Sequence, residues 1–213
     1  NIFSDFLLEV SYTFCSAING GAGGAGGKDS FLLLKVSLSS LDKNGVFLIN
    51  KWKGSIQKKV IKLKIDEFKK EGFNNIILAG HSAGGWDSLV LKSNFPSEID
   101  GVIAFHPARS GKFAGTKKPH KGWINWRNYK ISMIKVDQLQ NVLVFSHKKD
   151  KYENPKTSKF LSNSENVRFV DVSDTNCKKK LKTGGWHGIT LTKCFANKDP
   201  KRKEIIKYLE KLF

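Results

Sequence analysis

Gly80-His81-Ser82-Ala83-Gly84 stands between an apolar run and a segment that can continue as a helix. The run before it, Asn75-Ile76-Ile77-Leu78-Ala79, is short and β-branched at its centre, which predicts a buried parallel strand. Gly85-Trp86-Asp87-Ser88-Leu89-Val90-Leu91 after it predicts a helix. A strand that turns at once into a helix holds the residue at the bend in a strained conformation, and glycines on either side avoid backbone clashes. The Ser82 hydroxyl then stands at the carboxyl end of the sheet, where α/β folds build their sites. The alternative is a plain strand–helix junction whose serine caps the helix.

The rest of the chain decides between these. Residues 6–14 are apolar enough for a strand, and Asn19-Gly20-Gly21-Ala22-Gly23-Gly24-Ala25-Gly26-Gly27 follows. Residues 29–42 have a helical pattern, with Asp29 as N-cap. Val46-Phe47-Leu48-Ile49 predicts a strand. Ser55 opens a helix whose apolar stripe is Ile56, Val60, Ile61, Ile65 and Phe68, and Gly72 ends it. Further strands are predicted at 99–105, 142–145 and 167–172. Asp199-Pro200 opens a last helix with Ile205, Ile206, Leu209, Leu212 and Phe213 on its apolar face. Alternating strands and helices imply right-handed crossovers and a mostly parallel, doubly wound sheet in a three-layer α/β/α sandwich. No linker interrupts the chain, so residues 1–213 read as one domain. Residues 107–140 are the longest stretch without a sheet element and read as an insertion able to lie over the site as a lid. Its Trp123, Trp126 and Tyr129 either line an apolar acyl pocket or form the insertion's own small core.

A serine hydroxyl needs a base within hydrogen-bond reach, and the base needs an acid to fix its tautomer. In this architecture the chain order is Ser, then Asp or Glu, then His. Of the five histidines, His187 alone lies beyond the later strands, in the glycine-rich loop Gly184-Gly185-Trp186-His187-Gly188. The acid is expected after the strand at 142–145. Asp150 is the first choice there and Glu153 the alternative. The oxyanion is expected to meet the backbone N–H of Ala83 at the helix N-terminus, and a second donor from Gly20 or Gly21. The glycine stretch reads equally well as a flexible linker of low complexity.

Composition bounds the partners. The chain has 213 residues, with 37 Lys and Arg against 19 Asp and Glu, for a formal net charge of +18. Two readings stand: a surface that meets a polyanion, or lysines scattered over solvated faces. No recognised nucleic-acid module accompanies the charge, and no apolar run approaches a membrane span. None of Cys15, Cys177 and Cys194 has metal-ligand spacing, and no metal or cofactor is implied. Cys177 and Cys194 bracket the His187 loop. A disulfide between them would close 17 residues, stabilise by about 3 kcal/mol and imply export, periplasmic or secreted. The alternative is two buried free thiols.

These residues resemble the α/β-hydrolase superfamily, and more narrowly its small single-domain serine hydrolases of dienelactone-hydrolase-like shape. The resemblance runs from about residue 46 to the C-terminus. It rests on Gly80-His81-Ser82-Ala83-Gly84-Gly85-Trp86, on Lys149-Asp150-Lys151-Tyr152-Glu153-Asn154-Pro155, and on Trp186-His187-Gly188 followed by Cys194-Phe195. It is similar to exported bacterial esterases with Gly-Gly-Trp after the bend and a cysteine pair around the histidine loop. The resemblance implies a Ser82–Asp150–His187 triad and hydrolysis of small-molecule esters through an acyl-enzyme. A peptidase or amidase with the same triad, and a non-catalytic module that binds polyanions, are the other readings. The dienelactone enzymes use Cys as nucleophile, so their substrate is not implied. The two strands that usually open the family's sheet have no room before residue 6. An N-terminally incomplete chain is therefore expected.

Overall fold

Period-two alternation in three short apolar runs divides the interior into two faces. Leu78, Val102, Ala104, Val142 and Val144 pack to one side of a sheet, and Ile77, Ala79, Ile103, Phe105, Leu143 and Phe145 to the other. This is the pattern of strands covered on both faces. The computed structural model describes residues 31–32, 57–73, 75–175, 185–192, 194–195 and 200–212. Their elements in chain order are β1 (Phe31–Leu32), α1 (Gln57–Lys70), β2 (Ile77–His81), α2 (Ala83–Asn94), β3 (Gly101–Phe105), α3 (Lys121–Ser132), β4 (Val142–Ser146), β5 (Val167–Asp171) and α4 (Lys203–Leu212).

The sheet order is β1-β2-β3-β4-β5. Strands β2 to β5 are parallel, with Ile77 opposite Gly101, Val102 opposite Val142, and Val142 opposite Val167. Helices α1 and α2 cover one face through Ile61, Ile65, Phe68, Trp86, Leu89, Val90 and Leu91. Helix α4 and the segment around Ile189 and Phe195 cover the other. The result is an α/β sandwich of three layers with a mostly parallel sheet, as the alternating pattern requires.

Some expectations change. Residues 29–42 were expected to be helical, but Phe31 and Leu32 form a strand antiparallel to β2, opposite Gly80 and Ala79. The edge of β2 offers backbone groups that need partners, and an apolar segment that supplies them overrides a helical pattern. The strands expected at 6–14 and 46–49, the glycine stretch 19–27 and the cap Ser55 lie outside the described residues. Helix α1 ends as expected at Gly72, whose φ of 87° is open to glycine. The N–H of Gly72 bonds Lys69 O at 3.0 Å, and that of Phe73 bonds Phe68 O at 2.9 Å, a Schellman ending. The last helix is preceded by a 3₁₀ turn at Pro200–Arg202. Its buried residues are Tyr208 and Leu209. Tyr208 lay outside the expected stripe and donates its hydroxyl to Asn141 O at 2.6 Å.

Residues 107–140 carry helix α3 between two 3₁₀ turns, Phe113–Gly115 and Val136–Gln138. The stretch is fastened to the loop after β4. Ala114 N–H bonds Tyr152 O at 3.1 Å and Gly115 N–H bonds Lys151 O at 2.7 Å. Arg127, buried on α3, donates from Nε to Glu153 Oε1 at 2.7 Å and from Nη2 to Glu153 Oε2 at 3.0 Å. The guanidinium also lies over the rings of Phe113 and Phe160. Arg127→Met should cost about 3–5 kcal/mol, because it strands a buried carboxylate without its cation. Adding Glu153→Met should recover most of that loss. Urea unfolding of the two variants measures both. A single variant as stable as the wild type would mean that this pair anchors nothing.

Candidate active site

The bend after β2 is built as the motif requires. Ser82 has φ 56° and ψ −121°, a region that non-glycine residues enter only when the surroundings hold them there. Those surroundings are backbone hydrogen bonds. Ser82 N–H reaches Phe105 O at 2.9 Å, and Ser82 O accepts from Trp86 N–H at 3.0 Å and Ala108 N–H at 3.1 Å. A Cβ on Gly80 would fall 2.4 Å from Gly84 C, and one on Gly85 2.8 Å from Gly80 O. The backbones of Gly80, Gly84 and Gly85 therefore meet with no room for a side chain on Gly80 or Gly85. Ser82 is the N-cap residue of α2 but makes no side-chain capping bond. The capping alternative is thus overturned: the hydroxyl turns away from the helix.

The hydroxyl meets His187. Ser82 Oγ lies 2.8 Å from His187 Nε2, and His187 Nδ1 lies 2.7 Å from Asp150 Oδ2. Three residues from the bend after β2, the loop after β4 and the loop after β5 form one continuous chain. Asp150 is 2 % exposed. Burial alone would raise its pKa, but the hydrogen bonds from His106 and His187 outweigh it and hold the carboxyl well below its usual range. An ionised carboxylate only accepts, so His187 Nδ1 carries a proton and its Nε2 is free to accept from the serine.

Two features around this chain were not anticipated. Asp150 Oδ2 also accepts from Nδ1 of a second histidine, His106, at 3.0 Å. Asp150 Oδ1 accepts from Tyr152 N–H at 2.8 Å. His106 directly follows β3 at a positive φ of 48°. Burial lowers its pKa, so it donates to Asp150 as a neutral ring. The signal was its place: a polar residue directly after an apolar strand of a parallel sheet arrives at the carboxyl end. His81 Nε2 donates to His187 O at 2.7 Å. Burial, then the neighbouring His187, pushes the His81 pKa well down. His81 therefore ties the bend to the backbone of the histidine loop.

Aromatic contacts steady that loop. The Tyr152 ring lies 4.3 Å from the His187 ring. Trp186 stacks on His147 at 4.4 Å and 12°. His147 Nδ1 accepts from Lys149 N–H at 2.9 Å. Burial, chiefly, pushes the His147 pKa down to about 4, so a neutral ring stacks on the indole.

Glu153, the alternative acid, is bound to Arg127 and not to the histidine. Ala83 is the first residue of α2, where helix N–H groups have no intrahelical acceptor. Gly20, Gly21 and Cys177 lie outside the described residues. Cys194 is half-buried beside Phe195 after the His187 loop. The ligand atoms of His106, Asp150 and His187 lie within 4.8 Å of one another. The two ring N–H bonds to Asp150 Oδ2 account for that closeness.

No family model and no curated protein sequence matches the chain. Solved structures similar to it include a monoacylglycerol lipase from Paleococcus ferrophilus, with 14% identity over 60% of this chain and 72% of the other and a TM-score of 0.45. They also include a CIB-like hydrolase from Thermoplasma acidophilum, with 18% identity over 75% and 60% and a TM-score of 0.44. A metagenome-derived lipolytic enzyme is 13% identical over 73% and 71%, with a TM-score of 0.46. Likenesses of this order do not bear on what the chain acts on. The parallel sheet, the sharp serine bend after β2, the acid loop after β4 and the histidine loop after β5 make this an α/β-hydrolase fold.

Proposed function

We propose that the protein is a serine hydrolase that cleaves carboxylic esters through an acyl-enzyme on Ser82. The observation that carries the reading is the unbroken hydrogen-bond chain from Ser82 Oγ through His187 to Asp150. Ser82 Oγ attacks the ester carbonyl while His187 Nε2 takes its proton. Asp150 holds His187 in the tautomer that can accept, and stabilises the imidazolium that forms. The carbonyl oxygen becomes an oxyanion, met by the Ala83 N–H and by a donor from the Gly20–Gly21 segment. The tetrahedral intermediate collapses, the ester C–O bond breaks, and His187 delivers its proton to the leaving alkoxide. Water then attacks the acyl group, gives a proton to His187, and releases the acid and free Ser82. Residues 107–140 act as the lid in this reading. Their attachments to the acid loop and the Ala108 bond to Ser82 O support that role.

The substrate class, a carboxylic ester, follows from the family resemblance. In the same reading the chain is exported, with a Cys177–Cys194 disulfide steadying the histidine loop. We assign Cys177 and Cys194 as the two halves of that bond.

A fluorophosphonate probe tests the proposal. It should phosphonylate Ser82, found by peptide mass mapping, and a non-reducing digest of the same sample reports the cysteine pair. Folded protein that takes no label at Ser82 would overturn the serine-hydrolase reading.

A further inference from the structure

Helix α3 shows solvent an aromatic face. Trp126 is 48% exposed and Tyr129 54%, and Ile124 on the same helix is 39% exposed. The two aromatic rings lie 5.7 Å apart. The expectation that they line a pocket or form an internal core does not hold for these two. Trp123 alone of the three is half-buried, and its ring stands against the space above Gly111. The exposure is not a loose end. The opposite side of α3 is locked down by buried Arg127 on Glu153, and Trp126 Nε1 donates to Arg109 O at 3.3 Å.

The stretch of chain that carries this face is basic up to the exposed Asp137. Residues 101–136 contain six lysines, two arginines and no acidic residue. Both arginines face carboxylates, Arg127 on Glu153 and Arg109 beside Asp87 at 3.6 Å. The lysines remain as the outward charge. Lys112, Lys117, Lys118, Lys121 and Lys135 are exposed, and Lys130 Nζ lies 4.3 Å from the Trp126 ring and 5.2 Å from that of Tyr129.

We infer that this face of α3 and the lysine segment before it dock on an anionic lipid surface. Tyr129 offers an apolar body with a polar tip, which suits the boundary between headgroups and acyl chains, and Trp126, its N–H turned to Arg109 O, offers the exposed part of its ring. Lysines near such a surface add attraction that needs no fixed geometry. A nucleic acid is the weaker match. The arginines that would fork onto phosphates are already occupied, and the aromatics sit on an outward helix face, not in a groove that a strand of bases could enter. No helix among the described residues is long and apolar enough to cross a membrane. The inference is independent of the hydrolytic reading.

Co-sedimentation with vesicles tests it, using equimolar phosphatidylglycerol and phosphatidylcholine against phosphatidylcholine alone. Wild-type protein should pellet with the anionic vesicles and at least tenfold less with the neutral ones. The double substitution Trp126→Ala, Tyr129→Ala should lower binding about tenfold, with Tyr129→Ala alone giving part of the loss. Lys117→Glu, Lys118→Glu and Lys121→Glu together should lower it further. Circular dichroism confirms that each variant is folded. Equal pelleting with both vesicles would overturn the inference, as would wild-type-like binding by a folded double aromatic variant. Tighter binding to a single-stranded RNA oligomer than to the vesicles would assign the face to nucleic acid and overturn it as well.

Discussion

Ser82→Ala should lower kcat on an activated ester by roughly 10⁶-fold, the scale on which removal of a serine nucleophile acts when the rest of a triad stays in place. Alanine keeps the Cβ and therefore the fit at the bend, but no oxygen remains to attack. His187 Nε2 then has no proton to take from the side chain at 82. Oxyanion donors and substrate binding survive the substitution, which is why some hydrolysis above water persists. The fold should survive too, because the bonds that hold the bend come from the backbone of Ser82 to Phe105, Trp86 and Ala108. The melting temperature should move by no more than about 4 °C, the shift that about 1 kcal/mol produces in a chain of this size. Steady-state kinetics and a thermal melt on the same preparation measure both. An alanine variant that retains more than a hundredth of wild-type kcat would remove Ser82 from the chemistry.

Asp150→Asn should lower kcat by about 10⁴-fold near neutral pH. The two-histidine arrangement explains why asparagine is a poor replacement here. Asp150 Oδ2 accepts from both His106 and His187, and Oδ1 accepts from Tyr152 N–H. An amide has one accepting oxygen and one donating nitrogen. If its oxygen faces the histidines, its NH₂ meets the Tyr152 N–H, donor against donor. If its nitrogen faces them, His187 must move its proton to Nε2 and then points a donor at Ser82 in place of an acceptor. The first orientation costs stability in a buried site and the second removes the base. Neither restores the negative charge that stabilises the imidazolium. A variant within tenfold of the wild type across the pH range would mean that another group serves as the acid. Glu153 is an unsuitable substitute, since it is held by Arg127.

Short-range pattern made much of this molecule legible. The apolar runs at 75–79, 99–105 and 142–145 contain or overlap β2, β3 and β4, because a strand covered on both faces needs a largely apolar run, and the mixed stretch 167–172 contains the outer strand β5, whose Arg168 and Asp171 are exposed. Gly72 closed its helix where the left-handed conformation demanded it. Asp150 and His187 were readable because each follows a strand whose carboxyl end faces one edge of the sheet. What escaped were contacts between segments distant in sequence. Phe31 and Leu32 pair with the edge of β2, a partner that no local window contains. His106 looked like one histidine among five until β3 and β4 brought it beside Asp150. Tyr208 is buried because Asn141 offers it a carbonyl across 67 residues.

The sequence by itself determined the layered α/β architecture, the serine at the bend and the order in which Ser82, Asp150 and His187 follow their strands, since these depend on periodicity, glycine placement and chain direction. Only the tertiary structure decided how the surrounding groups divide their work. It spread Asp150 over two histidines, bound Glu153 to Arg127, and tied His81 to the histidine loop. It also turned Trp126 and Tyr129 outward although their composition suited a core. The physical reason is common to all of these. A hydrogen bond or an exposed face depends on which groups arrive within about 3 Å of one another, and that is settled by packing between elements, not by the pattern within any one of them.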